Sequence, residues 1–424
     1  MISEYIETSF GKVPKDWQIS KIEEIADVKG GKRLPKGESL TEVKTNHPYI
    51  RVADMYFGGV DTKNLLYVPE HVFPTIKNYI IGKDDLFISV AGTLGIVGEI
   101  PIKLDGANLT ENADRLTNIS INKSFLLQVL LSPIIQNAIE REQTNNAQPK
   151  LALSRIRAFE IPNPSLPEQQ KIAEILSTVD DKIEVIDQQI IETQELKKGL
   201  MQRLLTKGIG HTEFKDSPLG TIPKSWEVVE LDEISSTTRL AGYEYSEYWE
   251  ESIDGEITAL RGYNIGKNKL LLHNVIKISE ELSQKLVRSR LFKGDVVFPC
   301  VGTIGNAIVI KEDNKYHINQ NIAKITPDKN LDSYFLMQYL ISPMCRKEIK
   351  RFNATTSQPN VLVGSLRKFR IPFPSNIEEQ IKISNILGYI DEKLDVLMEK
   401  KVHYKEIKQG LMQQLLTGKI RVKV

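Results

Sequence analysis

Cysteine is nearly absent: the 424 residues contain only Cys300 and Cys345. Two thiols cannot build a disulfide framework or a cysteine-rich metal cluster, so both read as small apolar residues of a reducing, cytoplasmic compartment. Long apolar runs are absent too. The longest candidates are broken by Gly82, Lys83 and Asp84 or by Lys293, Gly294 and Asp295, short of the roughly 20 residues that cross a bilayer. Residues 1–10 lack the basic segment and apolar core of a secretory signal. With 41% hydrophobic and 26% charged residues, the chain is expected to be folded and soluble rather than disordered, with two or three domains.

Charge of one sign is also missing. Fifty-six basic against 55 acidic residues argues mildly against a nucleic-acid binder. The distribution is less even: Arg261 to Lys293 holds eight basic and two acidic residues, and Leu340 to Arg370 seven and one, so local basic faces remain open. Glu244 to Glu256, with six acids and no Lys or Arg, reads as a solvated loop.

Catalytic signatures fail on spacing. The glycines of GTLGIVG (92–98) form neither GxxxxGK[ST] nor a GxGxxG opening a helix, and read as strand turns. An adenine amino-methyltransferase needs Asp or Asn, Pro-Pro and an aromatic residue; Asn163, Pro164 and Ser165 come nearest, and their copies are Phe373, Pro374 and Ser375. The histidines at 47, 71, 211, 273, 317 and 403 have no metal-ligand spacing. Asp180 and Asp181, matched by Asp391 and Glu392, read as a solvated helix face. Neither a catalytic nor a metal site is expected.

What is present is a duplication of about 210 residues, too long for a solenoid repeat. GKVPKDW (11–17) matches GTIPKSW (220–226), VAGTLG (90–95) matches CVGTIG (300–305), and QPKLALSRIRAFEIPNP (148–164) matches QPNVLVGSLRKFRIPFP (358–374). EQQKIAEIL (168–176) matches EQIKISNIL (379–387), and ELKKGLMQRLLT (195–206) matches EIKQGLMQQLLT (406–417) at nine of twelve positions. Lys32 to Phe87 and Ala241 to Phe298 barely match, so one scaffold carries two different variable parts.

Each copy ends in a coiled-coil seam. Ile172, Leu176, Val179, Ile183, Ile186 and Ile190, resuming at Leu200 and Leu204, alternate spacings of four and three, as do Ile383, Leu387, Ile390, Leu394 and Leu397, resuming at Tyr404, Leu411 and Leu415. Proline precedes each seam, and Gly208 or Gly418 follows it. A helix of about 60 Å with one apolar stripe needs a partner, and the nearest is its own antiparallel copy; the alternative is packing on the globular parts. Lys197 and Lys408 share matched seam positions, with stems along the seam and charges expected to reach water.

The residues before each seam alternate short apolar runs with turns and some helix, as at Phe125 to Gln143 and Tyr334 to Phe352. They predict α/β (α+β) domains at 1–164 and 209–374, with long helices at 165–208 and 375–424 forming an intramolecular coiled coil. Two unlike heads on a rigid, pseudo-two-fold scaffold suit two half-sites separated by a fixed gap, about 12 base pairs for heads roughly 40 Å apart, and DNA is the natural ligand.

The repeats IPNPSLPEQQKIAEIL…LKKGLMQRLLTKG and IPFPSNIEEQIKISNIL…IKQGLMQQLLTGK, with the IPKSW segment and the GT(I/L)G turns, resemble the specificity subunits of type I restriction-modification enzymes over nearly the whole chain. The resemblance implies a non-catalytic subunit with two target-recognition domains. It implies assembly with two modification subunits that bind S-adenosylmethionine and methylate adenine, and optionally with two restriction subunits using ATP; no cofactor is expected on this chain. Rival readings are a self-contained DNA-modifying enzyme and a coiled-coil scaffold that binds only proteins.

Guanine is read by Arg or Lys and adenine by Asn or Gln. In the first head Lys32, Arg33, Lys36, Arg51, Asn145, Asn146 and Gln148 are the candidates for DNA contact, and in the second Arg239, Arg261, Tyr263, Asn264, Lys267, Thr356, Ser357 and Gln358.

Overall fold

The computed structural model describes residues 4–142, 150–352 and 360–424. It contains two units, Met1–Asp187 with Lys400–Val424 and Gln188–Glu399, so each unit holds one head and a stretch of both long helices.

In the first unit, a four-stranded antiparallel sheet runs in the order Val97–Glu99, Leu86–Ser89, Ala113–Thr117, Asp27–Gly30. The strand Leu86–Ser89 is buried on both faces, which is why it reads as a continuous apolar run rather than an alternation. Leu86 and Ile88 enter the main core with Phe125, Leu126 and Leu130 from the following helix, whereas Phe87 enters a second core with Ile50, Ala107 and Leu109. Those last residues belong to a second sheet, ordered Leu66–Tyr67, Pro48–Ile50, Ala107–Leu109, Ile80–Ile81, whose central pair is parallel.

The second unit repeats this frame. Its sheet is ordered Ser235–Thr238, Ile322–Pro327, Val296–Pro299, Ile308–Val309, with Val296 and Phe298 facing Phe335 and Leu336. Val297 turns the other way, toward Leu260 and Ile318 of the sheet Ile276–Ile278, Ile257–Leu260, Tyr316–Ile318. The segments that fail to match in sequence therefore share a central frame, although the second sheet has four strands in the first head and three in the second: buried apolar residues position the strands, and exposed positions between them are free to vary.

Three expectations need correction. Each predicted head helix is two: Lys123–Leu131 and Pro133–Glu142 in one unit, Ser333–Leu340 and Cys345–Phe352 in the other. Pro133 and Pro343 lack an N–H and exclude helical backbone at the preceding serine, so the helix stops and restarts. The acidic stretch from Glu244 is not all loop, because Gly242–Tyr248 is helical, with the Glu244 carboxylate accepting from the Ala241 N–H at 2.9 Å. The third concerns the seam charges, treated with the site below.

The long helices span Leu166–Lys207 and Ile377–Leu415. Gly208 and Gly418, at φ +62° and +64°, end them in the left-handed conformation that glycine adopts without strain. Pairing is antiparallel in both units: Ile172, Ala173 and Leu176 share a core with Met412, Leu415 and Leu416, and Met201, Leu204 and Leu205 share one with Ile383 and Leu387. Toward their ends the seams also pack on the head cores, so the two packing modes proposed from sequence coexist.

Candidate nucleic-acid interface

One turn organises a polar face in each head. In the first, Thr110, Glu111 and Asn112 link the strands Ala107–Leu109 and Ala113–Thr117. The Thr110 N–H donates to the Ile50 carbonyl at 3.1 Å, beside Arg51, and Val90 N–H donates to the Asn112 carbonyl at 2.7 Å, at the start of the shared glycine turn. Lys32 N–H donates to Leu109 at 2.8 Å, and a Cβ at neighbouring Gly31 would collide with the carbonyls of Leu109 and Thr110, so only glycine permits that approach. In the second head, Asn319, Gln320 and Asn321 occupy the same place. Asn319 N–H donates to Leu260 at 3.2 Å, beside Arg261, and Cys300 N–H to Asn321 at 2.9 Å. The chain leading to each long helix joins here, through Leu151 N–H to Val90 at 3.0 Å and Val361 N–H to Cys300 at 2.9 Å. Gly92, Gly95, Gly302 and Gly305 all have φ between +77° and +89°, making the GT(L/I)G segments turns as expected.

The candidates for DNA contact meet different fates. Lys32, Arg33 and Lys36 are exposed, with Lys32 Nζ 5.6 Å from the Tyr79 ring centre. Arg51 is committed inside the fold: Nε donates at 2.9 Å and Nη2 at 2.6 Å to the carboxylate of buried Asp54, which holds the guanidinium charged. Asn264, at the position matching Asp54, is fully buried; its Oδ1 accepts from Arg261 N–H at 2.9 Å and its Nδ2 donates to Leu271 at 2.8 Å. Arg261 therefore lacks the acid that fixes Arg51, and its Nη2 reaches exposed Glu251 at 2.9 Å instead. Arg239 borders a depression of about 390 Å³ with Arg288 and Arg367, two arginines not singled out from sequence. Tyr263 is exposed and its hydroxyl donates to Asn274 at 2.9 Å. Lys267 lies near Lys197 and Arg346, where burial first and the two cations second lower its pKa. Asn145, Asn146, Gln148, Thr356, Ser357 and Gln358 lie outside the described residues.

Head and helices are joined by a polar clamp that appears twice. Gln128 of the first head donates to Asp180 at 2.8 Å, and Lys408 of the second long helix binds the same carboxylate at 2.6 Å. In the second unit Gln338 donates to Asp391 at 2.9 Å and Lys197 pairs with it. The seam lysines thus end on aspartates rather than in water; Asp391 is largely withdrawn from solvent and Asp180 is partly exposed, while Asp181 and Glu392 are exposed as expected. A second clamp uses Gln169 and Gln380. Their side-chain oxygens accept from Asn122 N–H at 2.9 Å and Asp332 N–H at 2.8 Å, the residues capping the head helices. Spacing alone had no means of showing either, because both partners lie tens of residues away.

Each unit also exposes an apolar stripe one position before the seam. Val185 and Ile407 lie in the first unit, and Val396, Ile386 and Leu196 in the second, with Val185 matching Val396 and Leu196 matching Ile407 in the duplication. Both cysteines are buried, and burial pushes the Cys300 thiol up to about 12. Among the described residues no three His, Cys, Asp or Glu side chains are placed to hold a metal ion, and no helix is long and apolar enough to cross a membrane.

Comparison with known proteins supplies the context. The family model described as the type I restriction modification DNA specificity domain matches residues 14–195 and again 223–406. The MjaVIII type I restriction enzyme specificity subunit of Methanocaldococcus jannaschii is 28% identical over 430 residues, covering 97% of this chain and 95% of that relative. The EcoBI specificity subunit of Escherichia coli is 22% identical, covering 95% and 86%. In fold, the chain is similar to the type I restriction-modification S subunit of M. genitalium, with a TM-score of 0.57 at 16% identity over 94% of this chain and 96% of that one.

Proposed function

Because the chain belongs to the type I restriction-modification DNA specificity family, we propose that it reads a bipartite duplex, one half-site per head, and that its paired helices fix the unread gap. The observation that carries this reading is the twice-built clamp of Gln128, Asp180 and Lys408 and of Gln338, Asp391 and Lys197. It ties each head to its helices in the same way while the heads present different surfaces. Two equal scaffolds favour two copies of one partner. We assign these as modification subunits that carry S-adenosylmethionine and dock on the matched stripes around Val185 and Val396. The chain itself acts in the cytoplasm, without catalysis and without a cofactor; ATP and Mg²⁺ belong to restriction subunits where the complex has them.

Co-expression with the modification subunit, followed by mapping of methylated adenines, tests the reading. The expected motif has two unlike halves separated by a constant gap. A contiguous motif, or adenine methylation by the purified chain alone, rules it out.

A further inference from the structure

We infer that the middle residue of the organising turn, Glu111 in the first head and Gln320 in the second, is a specificity-determining position that contacts one base pair of its half-site. This rests on the bipartite reading above and adds to it a location in each head.

The frame around the position is constant. The turn is anchored in both heads to the strand before the arginine turn and to the first residue of the shared glycine turn, through the backbone bonds of Thr110 and Asn112 or of Asn319 and Asn321. The flanking residues build that frame: Thr110 and Asn319 are buried, and Asn319 Oδ1 accepts from the Gln320 N–H at 2.6 Å. The middle residue changes from carboxylate to amide while remaining half-exposed, whereas the other changed position, Thr110 or Asn319, is buried in both heads. Its side chain is little used by the protein. Glu111 accepts from the neighbouring Thr110 hydroxyl at 3.1 Å and faces the Tyr49 hydroxyl, and the Gln320 side-chain amide makes no hydrogen bond among the described residues. Arg51 and Asn264, nearby and of the right type for base reading, are instead spent on internal partners.

The chemistry of the two side chains separates their targets. A glutamate carboxylate accepts from the cytosine N4 amino group, and a glutamine amide pairs with the N6 and N7 edge of adenine. Exposed Lys32 in the first head and Arg239 in the second supply the neighbouring positive charge that a phosphate backbone requires.

The test uses the complex assembled from the full chain and its modification subunits, titrated with duplexes that carry the mapped target with each base pair changed singly. The wild-type complex is measured first; if it discriminates at no position, the bipartite reading itself fails, independently of this inference. Gln320→Ala is expected to lower discrimination at one base pair of one half-site from roughly 10–100-fold to under about 3-fold, leaving every other position unchanged. Glu111→Ala is expected to do the same in the other half-site. Gln320→Glu, nearly equal in size, guards against a folding defect and is expected to shift preference at that base pair toward cytosine. A wild-type profile in Gln320→Glu, or an equal loss of affinity for every duplex in both Gln320 variants, overturns the inference.

Discussion

At the scale of single residues, a carboxyl group buried without a partner is costly, and Asp114 is one. It is 4% exposed, its Oδ2 has no hydrogen bond among the described residues, and burial lifts its pKa to about 6 despite the opposing charges of Lys150 and Arg157. The folded state then binds a proton that the unfolded chain releases near pH 4, so stability falls as pH rises from about 4 to 6 and the full penalty, about 3 kcal/mol, persists above that. Strand register places Ala323 at the same position in the second head, opposite Phe298 as Asp114 is opposite Ile88. Asp114→Ala is therefore expected to raise stability at pH 7.5 by about this amount and to flatten the pH 4–6 slope, both read from urea midpoints. Arg51 and Arg261 give the opposite contrast. Arg51→Ala strands the Asp54 carboxylate and is expected to destabilise by about 3 kcal/mol, whereas Arg261→Ala releases only exposed Glu251 and costs under about 1 kcal/mol. In sequence these arginines are equivalent candidates. What separates them is an acid three residues on in one case and a distant loop in the other, and the second kind of neighbour has no signature along the chain.

Elements were legible where a period repeats. The seam spacings run inside both long helices, every seam position being buried or half-buried as an apolar stripe must be, but the second helix ends at Leu415 rather than at the expected 424 because no seam residue follows Leu415. Polar residues in the seam carried less information. Lys197 is 15% exposed and paired with Asp391, which also accepts from Asn268 at 3.0 Å. Removing the acid leaves a buried ammonium beside Lys267, itself under positive pressure. Asp391→Ala is expected to destabilise the second unit by about 3 kcal/mol. Asp180→Ala is expected to cost the first unit about 1 kcal/mol, because Asp180 is 38% exposed and screened by water. Hydrogen exchange of the two head cores, measured separately, checks both. Equal loss of protection in the two units would contradict the local role of each clamp.

For the whole molecule, duplication is the property that sequence displayed most openly, and it constrains assembly more than it constrains chemistry. Under the proposed docking, matched surfaces take matched partners, so the site is expected once in each unit. Val185 and Val396 occupy equivalent positions, 52% and 48% exposed, on stripes that the fold does not cover. An exposed Val→Glu change in a helix leaves packing nearly untouched and gains a few tenths of a kcal/mol of helix propensity at most, while a buried charge in an interface is costly. Val185→Glu is accordingly expected to yield complexes carrying one modification subunit, Val396→Glu to yield the same mass through the other site, and the double variant to remain alone. Native mass spectrometry at micromolar concentration distinguishes the three. Loss of both partners from either single variant would mean that docking at one stripe depends on the other, and retention of both by the double variant would move the docking surface away from this face of the helices.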